Sequence, residues 1–217
     1  MSDAASSAPL TIAIPKGRLQ EETGKFLKTA GINLKFTERK LTAADPEGRF
    51  RAFLVKNEDL PTYVHHNIAG LGICGEDVMY ESGYQFFTLL ELPFGKTSMC
   101  LSGYASAGYP GDGHGEKKSL TLATKFTRFA RDYYHTRGTS VSIIRLKGSV
   151  ELAPVLGLAP YIVDLVETGS TLKAHNLEVL EKLKEIRVFM IANPAYYKIY
   201  YKRINELVSL LGRGGNP

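Results

Sequence analysis

Residues 161–172, YIVDLVETGSTL, concentrate the side chains that suit a sugar phosphate. An apolar run carries two acids, Asp164 and Glu167, and passes directly into Thr168, Gly169, Ser170 and Thr171. Gly169 lets the backbone take a positive φ or come close to a ligand, and the hydroxyls on either side add donors. The residues that follow can open a helix whose free N–H groups favour an anion. Carboxylates just ahead of such a cradle suit ribose hydroxyls, which donate to them, or a bound Mg²⁺. The same letters also fit an ordinary strand–turn–helix junction with a capping threonine. Residue types alone do not separate the two.

Residues 14–19, IPKGRL, place Lys16 and Arg18 around Gly17 at another strand-to-helix junction. Sheet ligands commonly bind at such junctions, and two cations there suit a phosphate chain. Solvated surface charge is the plain alternative, as it is for Arg39, Lys56 and Lys147. Residues 70–75, GLGICG, match the dinucleotide pattern G-x-G-x-x-G, but the context is wrong. That motif follows a strand and opens a helix, whereas polar His65, His66 and Asn67 precede this one and the strand lies inside the glycines. No nicotinamide or flavin site is expected. His65 and His66 diverge by about 100° on a helix, so they are not a metal site by spacing. No nucleophile elbow, Walker or zinc-ligand pattern occurs.

The elements that must hold these residues alternate between strand and helix. Strands are expected at Leu10 to Ile14, Phe50 to Val55, Leu71 to Cys74, Phe86 to Leu92, Thr97 to Leu101, Leu120 to Ala123 and Val141 to Leu146, with a buried one at Tyr161 to Val166. A helix over Leu19 to Ala30 puts Leu19, Phe26, Leu27 and Ala30 on one face. Others follow at Glu76 to Glu81 and Lys125 to Thr136. Asn57 is expected to cap a helix with Glu58 and Asp59 in its first turn, and Ser149 a short helix to Leu156. Asn193 and Pro194 pair a cap with a first-turn proline, opening a helix with Tyr196, Ile199, Tyr200, Leu207, Val208 and Leu211 at core spacing. Residues 102–119 read as a long surface loop, and Lys173 to Glu185 fits either helix or strand. The alternation predicts α/β architecture with mainly parallel sheets.

Composition limits the partners. Of 217 residues, 27 are Lys or Arg and 22 Asp or Glu, a net charge of +5. That excess is spread along the chain with no basic block, so it suits small polyanions and gives no reason to expect nucleic acid. The apolar runs are only a handful of residues long, which excludes a membrane-spanning helix. The opening MSDAASSAPL has no basic n-region or apolar h-region, and Cys74 and Cys100 are the only cysteines. A cytoplasmic protein with two reduced thiols is expected. Residues 1–9 and 212–217 read as flexible tails.

The stretches PKGRL, LGICGEDV and LKGSVELAPVLGLAPYIVDLVETGSTL, in that order, resemble ATP phosphoribosyltransferase, the first enzyme of histidine biosynthesis. The likeness runs from Leu10 to about Leu211, and its composite motif from Gly148 to Leu172 is specific. With no room for a further regulatory domain after Leu211, the chain is similar to the short form, a catalytic subunit. The resemblance implies two α/β lobes of periplasmic-binding-protein type, residues 10–94 plus 185–211 and residues 95–184, with the active site in the cleft. It also implies strand after Ala174. It places the 5-phosphate of phosphoribosyl pyrophosphate (PRPP) at Thr168 to Thr171, with Asp164 near the ribose and Glu151 and Glu167 close by. Lys16, Gly17, Arg18, Arg39 and Lys56 then match positions holding the phosphates of ATP and pyrophosphate, with Arg18, Arg39 and Lys56 as catalytic charges. Lys56 stands where several relatives have Arg. Mg²⁺, a homodimer and a separate regulatory subunit resembling histidyl-tRNA synthetase are implied as well.

The implied reaction joins adenine N1 of ATP to C1 of the phosphoribose and expels pyrophosphate. The ring nitrogen is already a nucleophile, so the obstacle is charge repulsion between two polyanions. Positioned cations and Mg²⁺ are expected to overcome it. Asp164 could be a ribose ligand, a base for the adenine amino proton or a metal ligand. Two other functions compete. A non-catalytic two-lobe binding protein or sensor of a small anion would explain the basic residues but needs no acids ahead of a phosphate cradle. A type I phosphoribosyltransferase with a nucleobase acceptor has its two acids adjacent, whereas two residues separate Asp164 from Glu167.

Overall fold

The computed structural model describes residues 8–37, 40–107 and 119–214. The chain divides into two compact units, Met1–Gly95 with Arg187–Pro217, and Lys96–Ile186. Strands and helices are numbered along the whole chain.

The first unit contains β1 (Leu10–Pro15), α1 (Arg18–Thr29), β2 (Thr42–Ala44), β3 (Phe50–Val55), α2 (Leu60–His65), β4 (Leu71–Gly75), α3 (Glu76–Ser82), β5 (Phe87–Glu91), β11 (Val188–Ala192) and α7 (Pro194–Gly214). Its six strands run in the order β2-β3-β1-β4-β11-β5. β1 lies parallel to both β3 and β4. Because side chains alternate across a sheet, Ile12 and Ile14 join one core with Phe26, Leu27, Ile204 and Leu207. Ala13 joins the opposite core with Val55, Leu60 and Val64. A strand covered on both faces needs a near-continuous apolar run, and β1 has one interrupted only at Thr11.

The second unit contains β6 (Thr97–Gly103), β7 (Leu120–Thr124), α4 (Thr127–Thr136), β8 (Val141–Arg145), α5 (Leu152–Val155), β9 (Tyr161–Val166), α6 (Ser170–Ala174) and β10 (Glu178–Ile186). Strand order is β10-β6-β9-β7-β8. Phe126, Phe129 and Tyr134 pack with Leu122 and Val163 on one face. On the other, Val150 and Ala153 around α5 and Leu172 of α6 pack with Ala123 and Ile162. That second cluster sets α5 and α6 beside the C-terminal end of β9.

The α/β architecture is as expected, but both sheets are mixed. Parallel pairing is confined to β3-β1-β4 and β9-β7-β8. β2, β11 and β5 in the first unit and β6 and β10 in the second pair antiparallel. Antiparallel neighbours need no crossover helix, and the helix-free connection from β2 to β3 shows it. Residues 174–186 hold the strand expected after Ala174, namely β10.

Four local expectations are corrected. Asn57 does not cap a helix: it begins a 3₁₀ turn, Asn57–Asp59, in which Lys56 O accepts the N–H groups of Asp59 and Leu60. Ser149 does not cap α5 with its side chain; its carbonyl accepts from Leu152 N–H, and Glu151 precedes the helix. Ile199 is 60% exposed. The stripe of α7 that enters the core is Tyr196, Tyr200, Ile204, Leu207, Val208 and Leu211. Ile199 lies about 100° round the helix from Tyr200, and Tyr200 itself breaks the helical dihedrals (φ −110°, ψ 20°). β9 is buried at Ile162 and Val163 only; Asp164, Leu165 and Val166 are half-buried and line a pocket. The expected loop falls mainly on residues 108–118, outside those described; β6 extends through Ser102 and Gly103 before it.

GLGICG is a packing device. Leu71–Gly75 is the fully buried β4. A Cβ on Gly70 would stand 2.2 Å from the Tyr196 ring, and one on Gly72 2.7 Å from Val64. The glycines admit those side chains, not a pyrophosphate.

Candidate active site

A pocket of about 270 Å³ in the second unit is lined by Glu151, Asp164, Glu167, Thr168, Gly169, Ser170 and Thr171, together with apolar residues of β9 and α6. Every residue singled out between Gly148 and Leu172 for the sugar phosphate is therefore gathered in one place. β9 delivers Asp164 at its open end, and the turn into α6 delivers the hydroxyls. Gly169 sits left-handed at φ 73°, ψ 8°, just before α6. A residue with a Cβ is strained there. Thr168 Oγ1 and Ser170 Oγ lie 3.1 Å apart, and Ser170 N–H approaches Thr168 Oγ1 at 3.4 Å. The first-turn N–H groups of α6 have no intrahelical acceptors, as at any helix start. The turn thus offers hydroxyl and amide donors to an anion.

Asp164 has a different environment. Its side chain is 29% exposed, and Oδ1 accepts no hydrogen bond. Lys125 Nζ lies 3.9 Å from that oxygen, beyond hydrogen-bond distance but close enough to attract. Burial raises the Asp164 carboxyl above the usual range. The Lys125 charge and the Leu165 N–H pull it back down, and Glu151 pushes it up again. Oδ1 itself is buried, so the part of the carboxyl open to the pocket wall is the acceptor for a ligand's donors.

Lys16, Gly17, Arg18 and Lys56 are gathered in the first unit. Pro15 of β1 pairs with Val55 of β3, and Lys16 N–H donates to Val55 O at 2.9 Å. Lys16 and Lys56 therefore leave the carboxyl ends of neighbouring parallel strands, where sheet ligands bind. Both are exposed, as is Arg18. Gly17 and Arg18 line an open depression of about 500 Å³ with Gln20, Glu22 and Lys25. Arg39 lies outside the described residues.

The family model HisG: ATP phosphoribosyltransferase matches residues 56–213. The chain belongs to the ATP phosphoribosyltransferase family. Its reaction is accordingly that of a pentosyltransferase of histidine biosynthesis. The ATP phosphoribosyltransferase of Caldicellulosiruptor bescii is 41% identical over 208 residues, covering 94% of this chain and 98% of its own. That of Streptococcus thermophilus is 41% identical over 218 residues, covering 98% and 99%. Among solved structures, the ATP phosphoribosyl transferase (HisG:HisZ) complex of Thermotoga maritima superposes with a TM-score of 0.80 at 35% identity, covering 94% of this chain and 98% of that one. The VFT2 domain of Bordetella pertussis BvgS gives 0.56 at 12% identity, covering 96% and 94%. That likeness is one of fold alone, and it agrees with the expected two-lobe, periplasmic-binding-protein-like class. No helix among the described residues is long and apolar enough to cross a membrane.

The stretches that carry the family resemblance do not include Lys125. Its signal is positional: it directly follows β7, the parallel neighbour of the strand that carries Asp164. Reading it requires the pairing of two strands roughly forty residues apart, which spacing along the chain does not reveal.

Proposed function

We propose that this chain forms N1-(5-phosphoribosyl)-ATP and pyrophosphate from ATP and PRPP, with the second-unit pocket holding the phosphoribosyl group. The observation that carries this reading is the turn at Gly169. It presents two hydroxyls and a helix start beside the Asp164 carboxylate. A phosphate needs donors and ribose hydroxyls need an acceptor, and the pocket supplies both. In this reading Thr168, Gly169, Ser170 and Thr171 bind the 5-phosphate, Asp164 accepts from the ribose, and Glu151 and Glu167 complete the wall. A non-catalytic anion sensor would leave Asp164 with no role.

We assign Lys16, Gly17, Arg18 and Lys56 to the phosphates of ATP and of departing pyrophosphate, with Arg39 carried by its place in the motif pattern. Adenine N1 forms a bond to C1, the C1–O bond to pyrophosphate breaks, and pyrophosphate leaves with that electron pair. The positive charge left on the purine is relieved by loss of a proton from the 6-amino group. Arg18 and its neighbouring cations stabilise the growing negative charge on the leaving oxygen, the usual largest contribution in such sites. Among the described residues no group of three or more His, Cys, Asp or Glu side chains is placed to hold a metal. Mg²⁺ would be carried in by the substrates' phosphates and would supply charge neutralisation there.

The structural relative from Thermotoga maritima is a HisG:HisZ complex. We assign this chain a homodimeric catalytic role with a regulatory partner of the same kind. The test is incubation with ATP, PRPP and Mg²⁺, with and without that partner, following phosphoribosyl-ATP by absorbance while calorimetry records PRPP binding. Product formation is expected. Absence of both product and PRPP binding would overturn the assignment.

A further inference from the structure

The phosphoribosyl pocket has an electrostatic imbalance. Its wall carries three carboxylates, Glu151, Asp164 and Glu167, and among the described residues that line it there is no Lys or Arg. The ligand assigned to it is itself a polyanion. Like charges this close oppose binding unless a cation stands nearby.

Lys125 is that cation, and the fold holds it in place. Thr124 pairs with Val163 across the parallel β7–β9 ladder. Thr124 Oγ1 donates to Val163 O at 2.6 Å and accepts from Phe126 N–H at 2.9 Å. The residues flanking Lys125 are therefore pinned, and both are buried. Its Nζ stands over the Phe126 ring, 4.9 Å from the centroid. From there Nζ reaches to 3.9 Å from Asp164 Oδ1. The contact matters: Nζ attracts the buried Oδ1 and so fixes the carboxylate, whose exposed part stays open to the pocket.

We propose that Lys125 is a positioning residue of the phosphoribosyl pocket, orienting the Asp164 carboxylate toward the ribose hydroxyls and offsetting the acidic wall for an incoming PRPP. This role rests on the assignment of the pocket to PRPP. Lys125 acts through Asp164 and through its field, and takes no part in the bonds that form and break.

The test compares Lys125→Met, which keeps an unbranched side chain without the charge, with Lys125→Arg, which restores the charge. Mg²⁺–PRPP and Mg²⁺–ATP are titrated separately into the full chain by calorimetry, and KM for each substrate is measured with any regulatory subunit present. Lys125→Met is expected to weaken PRPP about three- to fivefold, the upper range for a partly exposed charge pair, with ATP unchanged. Lys125→Arg should return PRPP to within about twofold of wild type. PRPP binding unaltered in Lys125→Met but weakened in Asp164→Asn would overturn the role of Lys125 and leave the pocket assignment standing. PRPP binding unaltered in Lys125→Met, Asp164→Asn and Thr168→Val alike would overturn the pocket assignment itself. Equal losses for PRPP and ATP with a lowered thermal midpoint would mark Lys125 as merely structural. Should Lys125→Met fail to fold, Lys125→Gln is read by the same criteria.

Discussion

The hydroxyls of Thr168 and Ser170 meet at 3.1 Å across Gly169, whose φ of 73° turns the chain so that both face one pocket. A Cβ at Gly169 would find no atom nearer than Val166 Cγ1 at 3.9 Å. Space is therefore free, and the constraint is backbone conformation together with access for the ligand. Gly169→Val should raise KM for PRPP tenfold or more and cost about 1–2 kcal/mol of stability, since a left-handed residue with a Cβ is strained. Gly169→Asn, which tolerates that conformation, should recover the stability but not the affinity. Denaturant titration and PRPP kinetics on the two variants check this; an unchanged KM in Gly169→Val would remove the turn from the site.

Asp164 couples function to a stability cost. Burial raises its carboxyl, so the folded chain binds that proton more tightly than the unfolded chain. Its contribution to stability is then full below the ordinary carboxylate value of about 4 and is lost as pH rises through the raised folded value. At neutral pH the ionised group is a standing cost. Asp164→Asn should melt no lower than wild type at pH 7, while kcat/KM for PRPP falls roughly 10- to 100-fold, the range for one hydrogen bond to a charged acceptor. Thermal melts at pH 4 and pH 7 decide the sign: a wild type more stable than the variant at pH 7 would contradict it.

Arg18 opens α1 beside the carboxyl ends of β1 and β3 and is exposed. Arg18→Ala should lower kcat by roughly 10²–10³, as for loss of one preorganised charge partner. The circular dichroism spectrum and melting point should stay near wild type. Near-normal turnover would place the charge stabilisation elsewhere.

Asn193 is a purely structural counterpart. Its Oδ1 accepts the N–H groups of Ala195 and Tyr196 at 2.9 and 3.1 Å, and its Nδ2 donates to the carbonyls of Val64 and His65. Asn193→Ala removes a helix cap and takes one donor from each of two carbonyls, of which Val64 O keeps the Asn67 N–H. A loss of about 2–3 kcal/mol is expected in urea unfolding. Substrate KM values should be unchanged in the folded enzyme, and a shift confined to KM would mean Asn193 lies closer to the chemistry than its bonds indicate.

Much was legible from local chemistry alone. Residue types and spacing announce the turn at Thr168–Thr171, the cap at Asn193 and the apolar run of β1, because each is decided within a few residues of chain. Lys16 and Arg18 at the β1–α1 junction are legible for the same reason. The rejected GLGICG motif was also readable, since the polar residues before it deny it a strand.

Tertiary structure alone decided which of these pieces meet. The antiparallel flanks of both sheets depend on partners far apart in the chain, such as β11 with β4, and no local pattern encodes a partner's direction. Ile199 faces outward because of where the rest of α7 docks, and the helix period by itself allows it inside. Lys56 reaches Lys16 through the β1–β3 register, and Lys125 reaches Asp164 through the β7–β9 register. Composition and spacing act along the chain, whereas a carboxylate's proton affinity depends on the charges and solvent within a few ångströms. Only folding sets those distances.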